Sequence, residues 1–395
     1  MVEIAQPDAQ MVKQLSARLV EDLRARGRLT TREWEQALYA VPRYRFVPAT
    51  AWVVANHAGA PTGLIDASKD RDGWLEAIYS DTSVILQEDD GAGDPTAGTG
   101  NFTSSVSAPG IVVPFLELLE PQPGDRVLDV GTGSGWTAAL LSWRAGQDGV
   151  TSIEVDPEVA GQAEANLRAA GFAPHLLVGD GLKGCPDRAP FDHVHVTAGA
   201  SRIPIAWIEQ TRPGGTIVLP WHVGGRVGHM VRLTVTGEST AVGSFHGPAS
   251  YMMVRSQRYN TTWNAHHDGE ADRTTTRIDP RRVIEADAGA SLMSAALAPR
   301  IGWHAKTGPT GTSLMLFELD DQNGSWAACY RQPGRDDNEV LQYGERQLWD
   351  EVADAYLQWL ALGSPGAERF GLTVNPDGVH VWLDHPGGPS WSLPT

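Results

Sequence analysis

The chain has 395 residues, 41% of them hydrophobic and 20% charged, enough to bury a core and to argue against wholesale disorder; the length suggests about two domains. Asp and Glu outnumber Lys and Arg by 48 to 31, a formal net charge of -17, which speaks against nucleic-acid phosphates or anionic lipid as partners. No apolar run approaches the roughly 20 residues of a membrane span, and the opening MVEIAQPDAQ lacks the basic and apolar stretches of a signal peptide. A cytoplasmic protein is expected. Cys185 and Cys329 are the only cysteines, too far apart for a paired redox or zinc pattern, and are expected as packed thiols.

Val12, Leu15, Leu19 and Leu23 recur at helical spacing and stop near Arg26-Gly27. A second helix follows, with Thr30 or Thr31 as its cap, Glu33 in its first turn and Trp34, Ala37 and Leu38 on its apolar face, until Val41-Pro42 breaks it. Small, polar, Gly and Pro residues dominate 55–73 and 87–100, which read as long loops. From about residue 124 the segments RVLDV, WTAALLSWRAG, VTSIEVD, PEVAGQAEANLRAAG, HLLVGDG, FDHVHVTAG and GGTIVLPW alternate, predicting βαβ units and a doubly wound, mostly parallel sheet. Beyond 228, MVRLTVTG, GTSLMLFELDD, GSWAACYRQ and GVHVWLDH read as strands, and 256–290 as irregular. LWDEVADAYLQWLALG reads as a helix with Trp349, Val352, Ala353, Tyr356, Leu357, Leu360 and Leu362 on its apolar side, ended by Gly363 and Pro365. The expected division is 1–228, an α/β domain with a helical amino-terminal part, and 229–395, an added α+β domain.

The chemistry is concentrated at the strand ends. Asp129-Val130-Gly131-Thr132-Gly133-Ser134-Gly135 follows a strand and leads into a helix, where glycines allow tight turns and close approach to a ligand. Glu154-Val155-Asp156 ends the next strand, suited to ribose hydroxyls, and Gly179-Asp180-Gly181 ends the one after, suited to an adenine amino group. An acid at 129 would repel a pyrophosphate but favours the sulfonium and ammonium of S-adenosyl-L-methionine. The spacing therefore predicts that cofactor, held by Asp129, Gly131, Thr132, Gly133, Gly135, Glu154, Val155, Asp180 and Gly181, with Thr197 at the end of HVHVT beside them.

DxGxGxG also resembles the first motif of class I methyltransferases, and 41–221 resembles the protein-L-isoaspartate O-methyltransferase family. The matching text is Val41-Pro42-Arg43, Phe46-Val47-Pro48, Tyr79-Ser80-Asp81, Ser105-Val106-Ser107-Ala108-Pro109, Arg126 through Gly135, Ile153-Glu154, Gly179-Asp180-Gly181, Ala189-Pro190-Phe191-Asp192, Pro213-Gly214-Gly215 and Leu219-Pro220. The resemblance implies a Rossmann-like fold and carboxyl methylation. It places Ser107 and Asp81 in the catalytic centre, Ser105 and Val106 on the substrate, and Trp221 and His222 on the acceptor wall.

Insertions at 55–78 and 87–104 flank Tyr79-Ser80-Asp81, and the chain continues well past the point, near 225–230, where repair enzymes of this family end. This layout is similar to the long methyltransferases of lanthipeptide and graspetide biosynthesis. That likeness implies a modified precursor peptide as partner, with 229–395 gripping it, and an aspartyl ester that closes to aspartimide or isoaspartate. The alternatives are general isoaspartate repair, a small-molecule methyltransferase, and a non-catalytic module that binds cofactor or peptide. No metal is expected: His266 and His267 are adjacent loop residues without a third ligand. The acids Glu88, Asp89, Asp90 and Asp94 read as a solvated loop or, alternatively, an attractor for a basic leader peptide.

Overall fold

The computed structural model describes residues 6–224, 228–237, 239–259, 271–319 and 324–393; His266 and His267 lie outside them. Two compact units emerge, Met1–Ala198 with Ala206–Leu219, and Gly199–Ile205 with Pro220–Thr395.

In the first unit, α1 (Ala9–Ala25) starts at Asp8, whose carboxylate accepts the amides of Gln10 and Met11. α2 (Arg32–Ala40) starts at Thr31, but the threonine side chain does not cap it. Glu117 instead receives the amides and hydroxyls of both Thr30 and Thr31. Next come β1 (Thr50–Ala55), β2 (Gly63–Asp66), α3 (Arg71–Ile78), β3 (Thr82–Glu88) and β4 (Phe102–Val106), forming an antiparallel sheet in the order β2-β1-β3-β4. This corrects the reading of 55–73 as a loop. Asp70 caps α3 through the Gly73 amide, and Trp74, Leu75, Ala77 and Ile78 bury its inner face.

The loop between β3 and β4 is organised by its own acids. Glu88 is buried and accepts the Gly100 amide, Asp89 accepts the amide and side chain of Asn101, and Asp94 accepts the amide and hydroxyl of Thr96.

The remainder of the unit is α4 (Pro109–Leu119), β5 (Val127–Val130), α5 (Trp136–Ala145), β6 (Val150–Glu154), α6 (Pro157–Ala170), β7 (His175–Val178), β8 (Phe191–Val196), α7 (Ile205–Glu209) and β9 (Thr211–Trp221). β9 crosses into the second unit at Pro220. The strands pair in parallel in the order β7-β6-β5-β8-β9, the doubly wound α/β sheet read from the alternating pattern.

The second unit holds two antiparallel arrangements. β10 (Gly228–Gly237), β11 (Thr240–Ala249), β17 (Phe370–Asn375), β18 (Gly378–Leu383) and β19 (Ser390–Leu393) pair in that order. β12 (Asp272–Thr276), β13 (Ile301–Gly308), β14 (Gly311–Glu318), β15 (Trp326–Arg331) and β16 (Asn338–Tyr343) form the other, in the order β12-β16-β15-β14-β13. The segment 256–290, read as irregular, contains β12, α8 (Pro280–Ile284) and the start of α9 (Ala288–Leu297). Leu314, Leu316, Ala327, Cys329 and Val340 pack with Trp349, Val352 and Ala353 of α10 (Leu348–Ala361). Leu357 and Leu360, assigned to that apolar face, are 47% and 42% exposed. Both cysteines are free and buried, and burial pushes the Cys329 thiol up to about 12.

Candidate active site

Chain order in the first sheet runs outward from β5 to β7 and then returns to β8 on the other flank of β5. A doubly wound sheet binds its ligand at such a reversal, at the carboxyl ends of the strands. Gly131, Gly133 and Gly135 stand there with φ of +96°, +55° and +88°. A Cβ on Gly131 would meet Thr197 Oγ1 at 2.5 Å, and one on Gly133 would stand 3.3 Å from the Ser105 carbonyl oxygen. The loop therefore passes bare backbone beside the Ser105–Ser107 segment. Thr197 acts as its staple: the hydroxyl lies 3.0 and 2.6 Å from the carbonyl oxygens of Val130 and Gly131.

Asp129 departs from its expected place beside the methionine part of the cofactor. Parallel register sets it between Ser152 and His195, so the three side chains form one row on a single face of the sheet. Ser152 Oγ donates to Asp129 Oδ2 at 2.7 Å, and His195 Nδ1 lies 2.9 Å from Oδ1. All three side chains are fully buried. The row reaches the loop through Thr132 Oγ1, 2.7 Å from Ser152 Oγ. Asp129 thus supports the cofactor loop from beneath. Each member stands two residues before a strand-end position (131, 154 or 197), a spacing visible in the sequence.

Of the other strand-end acids, Glu154 is buried and Asp180 exposed. Glu154 accepts the Gly133 amide at 2.9 Å and the Asp156 amide at 3.1 Å. Burial holds its carboxyl above the ordinary carboxylate range, and the amides of Gly133, Asp156 and Val155 offset this only in part. Val155 is 44% exposed beside it. Asp180 is exposed, with Oδ1 on the Leu182 amide at 3.0 Å. Gly181 packs so tightly that a Cβ would sit 2.5 Å from Val130 Cγ1. Gln87, which the sequence reading passed over, donates to Asp156 at 3.0 Å and accepts from Thr103 at 3.0 Å. It ties the β3–β4 region to the end of β6.

These features suit S-adenosyl-L-methionine: a backbone cradle closed to side chains, a buried carboxylate at the loop, an open apolar surface at Val155, and two acids where a pyrophosphate site would need donors.

On the acceptor side, Ser105 and Ser107 are half-buried and Val106 is buried. The Ser107 hydroxyl has no hydrogen-bond partner among the described residues, and α4 begins two positions later at Pro109. Asp81, expected to be catalytic, is 1% exposed and fully engaged. It accepts the Gly110 amide at 2.6 Å, Asn56 Nδ2 at 2.8 Å and Arg26 Nη1 at 2.9 Å. The structure corrects its role to anchoring the first turn of α4. Trp221 and His222 belong to the second unit. Trp221 is 1% exposed and packs on Phe245, a core residue rather than a substrate wall. The His222 ring lies against Gly199 and Gly228.

Among the described residues no group of three His, Cys, Asp or Glu side chains is disposed to hold a metal ion, and no helix is long and apolar enough to cross a membrane.

Residues 76–257 match the family model for protein-L-isoaspartate(D-aspartate) O-methyltransferase. The protein-L-isoaspartate O-methyltransferase of Methanopyrus kandleri is 35% identical over 229 residues, 57% of this chain and 83% of that one. The enzyme of the same name from Aeropyrum pernix is 35% identical over 216 residues, 54% of this chain and 69% of that one. A solved structure described by the same name aligns with a TM-score of 0.52 at 20% identity, covering 94% of this chain and all of that one; at that identity it speaks to the fold. The chain belongs to the protein-L-isoaspartate O-methyltransferase family of S-adenosyl-L-methionine-dependent enzymes.

Proposed function

We propose that this enzyme methylates the side-chain carboxylate of an aspartyl residue in a constrained, ribosomally made peptide, and that the ester then closes to aspartimide or isoaspartate. The observation that carries the reading is the sheet β2-β1-β3-β4. Residues 50–66, its first two strands, lie outside the stretch that matches the family model, yet the sheet runs directly into Ser107 and is tied to the cofactor strand end by Gln87. In this reading the folded sheet restricts what reaches the serine, which suits a dedicated substrate better than many unfolded ones. The solved structure of the same name, at 20% identity, speaks to the fold alone and bears on the choice of substrate neither through the second unit nor through these strands.

S-adenosyl-L-methionine supplies an electrophilic methyl group on a sulfonium. The acceptor carboxylate, with an ordinary pKa of about 4, is already ionised at neutral pH and needs no base, so the residues act by positioning. In this reading Ser107 donates a hydrogen bond that orients the acceptor, aided by Ser105, while Gly131–Gly135, Glu154, Val155, Asp180 and Gly181 hold the cofactor. The appended unit grips the peptide.

The test offers labelled methyl donor with a linear isoaspartyl peptide, a linear aspartyl peptide and the same aspartyl sequence closed by thioether or ester links. The cyclic peptide should exceed the linear aspartyl one by about 100-fold or more in kcat/KM, near 2.7 kcal/mol. Efficient turnover of the linear isoaspartyl peptide and none of the cyclic one would return the enzyme to general repair, the activity its relatives' names carry.

Glu154 gives a second expectation. A carboxyl whose pKa is raised on folding favours the folded state while protonated, and that advantage is lost as pH rises through the raised value. At neutral pH the ionised group therefore costs the ligand-free protein stability. Glu154→Gln should leave the melting temperature equal or higher at pH 7 and weaken S-adenosylhomocysteine binding by about 10-fold or more through loss of a charge-assisted bond to ribose. Calorimetry of both quantities decides; unchanged affinity would remove the ribose role.

A further inference from the structure

Arg43 is 1% exposed, and no carboxylate bonds to it among the described residues. Its guanidinium is satisfied by main-chain carbonyls instead. One terminal nitrogen donates to the Ile78 carbonyl; the other faces those of Thr82 at 2.6 Å, Ser107 at 3.1 Å and Val106 at 3.3 Å. Nε has no partner. Burial lowers the guanidinium to about 10, with Asp81 the main charge acting against it, so it remains cationic at neutral pH. The plane also lies over the Trp136 ring, 5.1 Å from its centroid, and Trp136 is the first residue of α5, directly after Gly135.

Burying a cation against carbonyls is costly, and an apolar residue of similar volume would serve a core better. A planar fork, however, joins separate stretches of backbone at fixed angles, whereas the three donors of an ammonium radiate from one freely rotating point. Here it joins the end of α3, the start of β3 and the Val106–Ser107 carbonyls, and rests on the helix that carries the glycine loop. We infer that Arg43 is a positioning residue for methyl transfer: it fixes the Ser107 backbone relative to the cofactor loop. This rests on the reading of Ser107 given above. Since a misplacement of about 1 Å can cost on the order of 100-fold in rate, the effect should fall on turnover rather than on cofactor binding.

The test uses the full chain with Arg43→Lys, which keeps the charge and loses the fork, and Arg43→Gln, which keeps an N–H pair and loses the charge. Each is measured for S-adenosylhomocysteine affinity and stoichiometry and for kcat and KM on the peptide that the wild type methylates best. In at least one variant, affinity should stay within about threefold and stoichiometry stay at the wild-type value while kcat falls by about 10- to 100-fold. A kcat within about threefold of wild type in every variant that binds normally overturns the inference. So does a loss of turnover matched by an equal loss of binding sites in both, which would make Arg43 a residue of stability alone. Ser107→Ala, run beside them, judges the reading of the serine separately: if it keeps wild-type kcat, that reading fails whatever the Arg43 variants do.

Discussion

Replacing Asp129 by Ala should lower the stability of the first unit by about 3–5 kcal/mol, because it removes the acceptor shared by two buried side chains and leaves a gap in its place. His195 Nδ1 and Ser152 Oγ would both lose their acceptor, and His195 Nε2 already has no partner among the described residues. In a domain of this size that corresponds to a fall of about 10 °C in melting temperature. Asp129→Asn should cost less, since an amide oxygen can still accept from His195. Cofactor affinity of the folded Asn variant should change by no more than about threefold. The opposite pattern, intact stability with affinity down by about 100-fold, would restore Asp129 to direct charge neutralisation of the cofactor. Thermal melts paired with titration of S-adenosylhomocysteine separate the two.

This residue also marks where the sequence stops being readable. Asp129 carries the right letter in the right motif, and the motif does locate a glycine loop at the end of β5. The direction of its side chain, however, depends on strand alternation and on which residues stand beside it in β6 and β8, and that register is a property of three strands together. The glycines are different. Gly131, Gly133 and Gly135 are needed for conformations that the chain itself must adopt there, so their spacing alone was informative. The α5 and α6 helices and strands β5 to β9 were legible for the same local reason, since each carries its own period and its own stop signal.

What escaped the sequence is mostly what main chain does to side chain. Nothing in Val41-Pro42-Arg43 says that the arginine will bond four carbonyls drawn from 78 to 107, because carbonyls have no letter. Residues 55–78 hid a strand and a helix, since Gly, Pro and Asp supply turns and caps here as readily as they supply loops: Asp70 opens α3, and Gly63 opens β2. The acids at 88, 89 and 94 accept amides of their own loop, and Asp89, Asp90 and Asp94 are exposed there as in a solvated loop.

Gly131→Ala should weaken binding of the methyl donor by about 30- to 100-fold, or 2–2.7 kcal/mol. Two costs combine at this position. At φ of +96° an L side chain is strained, worth on the order of 1–3 kcal/mol. The new methyl would also stand 2.5 Å from Thr197 Oγ1, the atom that holds the loop's own carbonyls, so relief of the clash requires the loop to leave its staple. The two costs can be separated within this chain. Gly124 and Gly146 have φ of +93° and +99° with nothing within 4 Å of a Cβ, so Gly124→Ala and Gly146→Ala carry the strain without the collision. Those two should lose about 1 kcal/mol of stability and bind the donor normally. Thr197→Ala placed on top of Gly131→Ala removes the obstructing oxygen but also the staple, so it should recover less than half of the lost binding free energy. Equal affinity losses at 124, 146 and 131 would mean that general strain, not the cradle at the end of β5, governs donor binding.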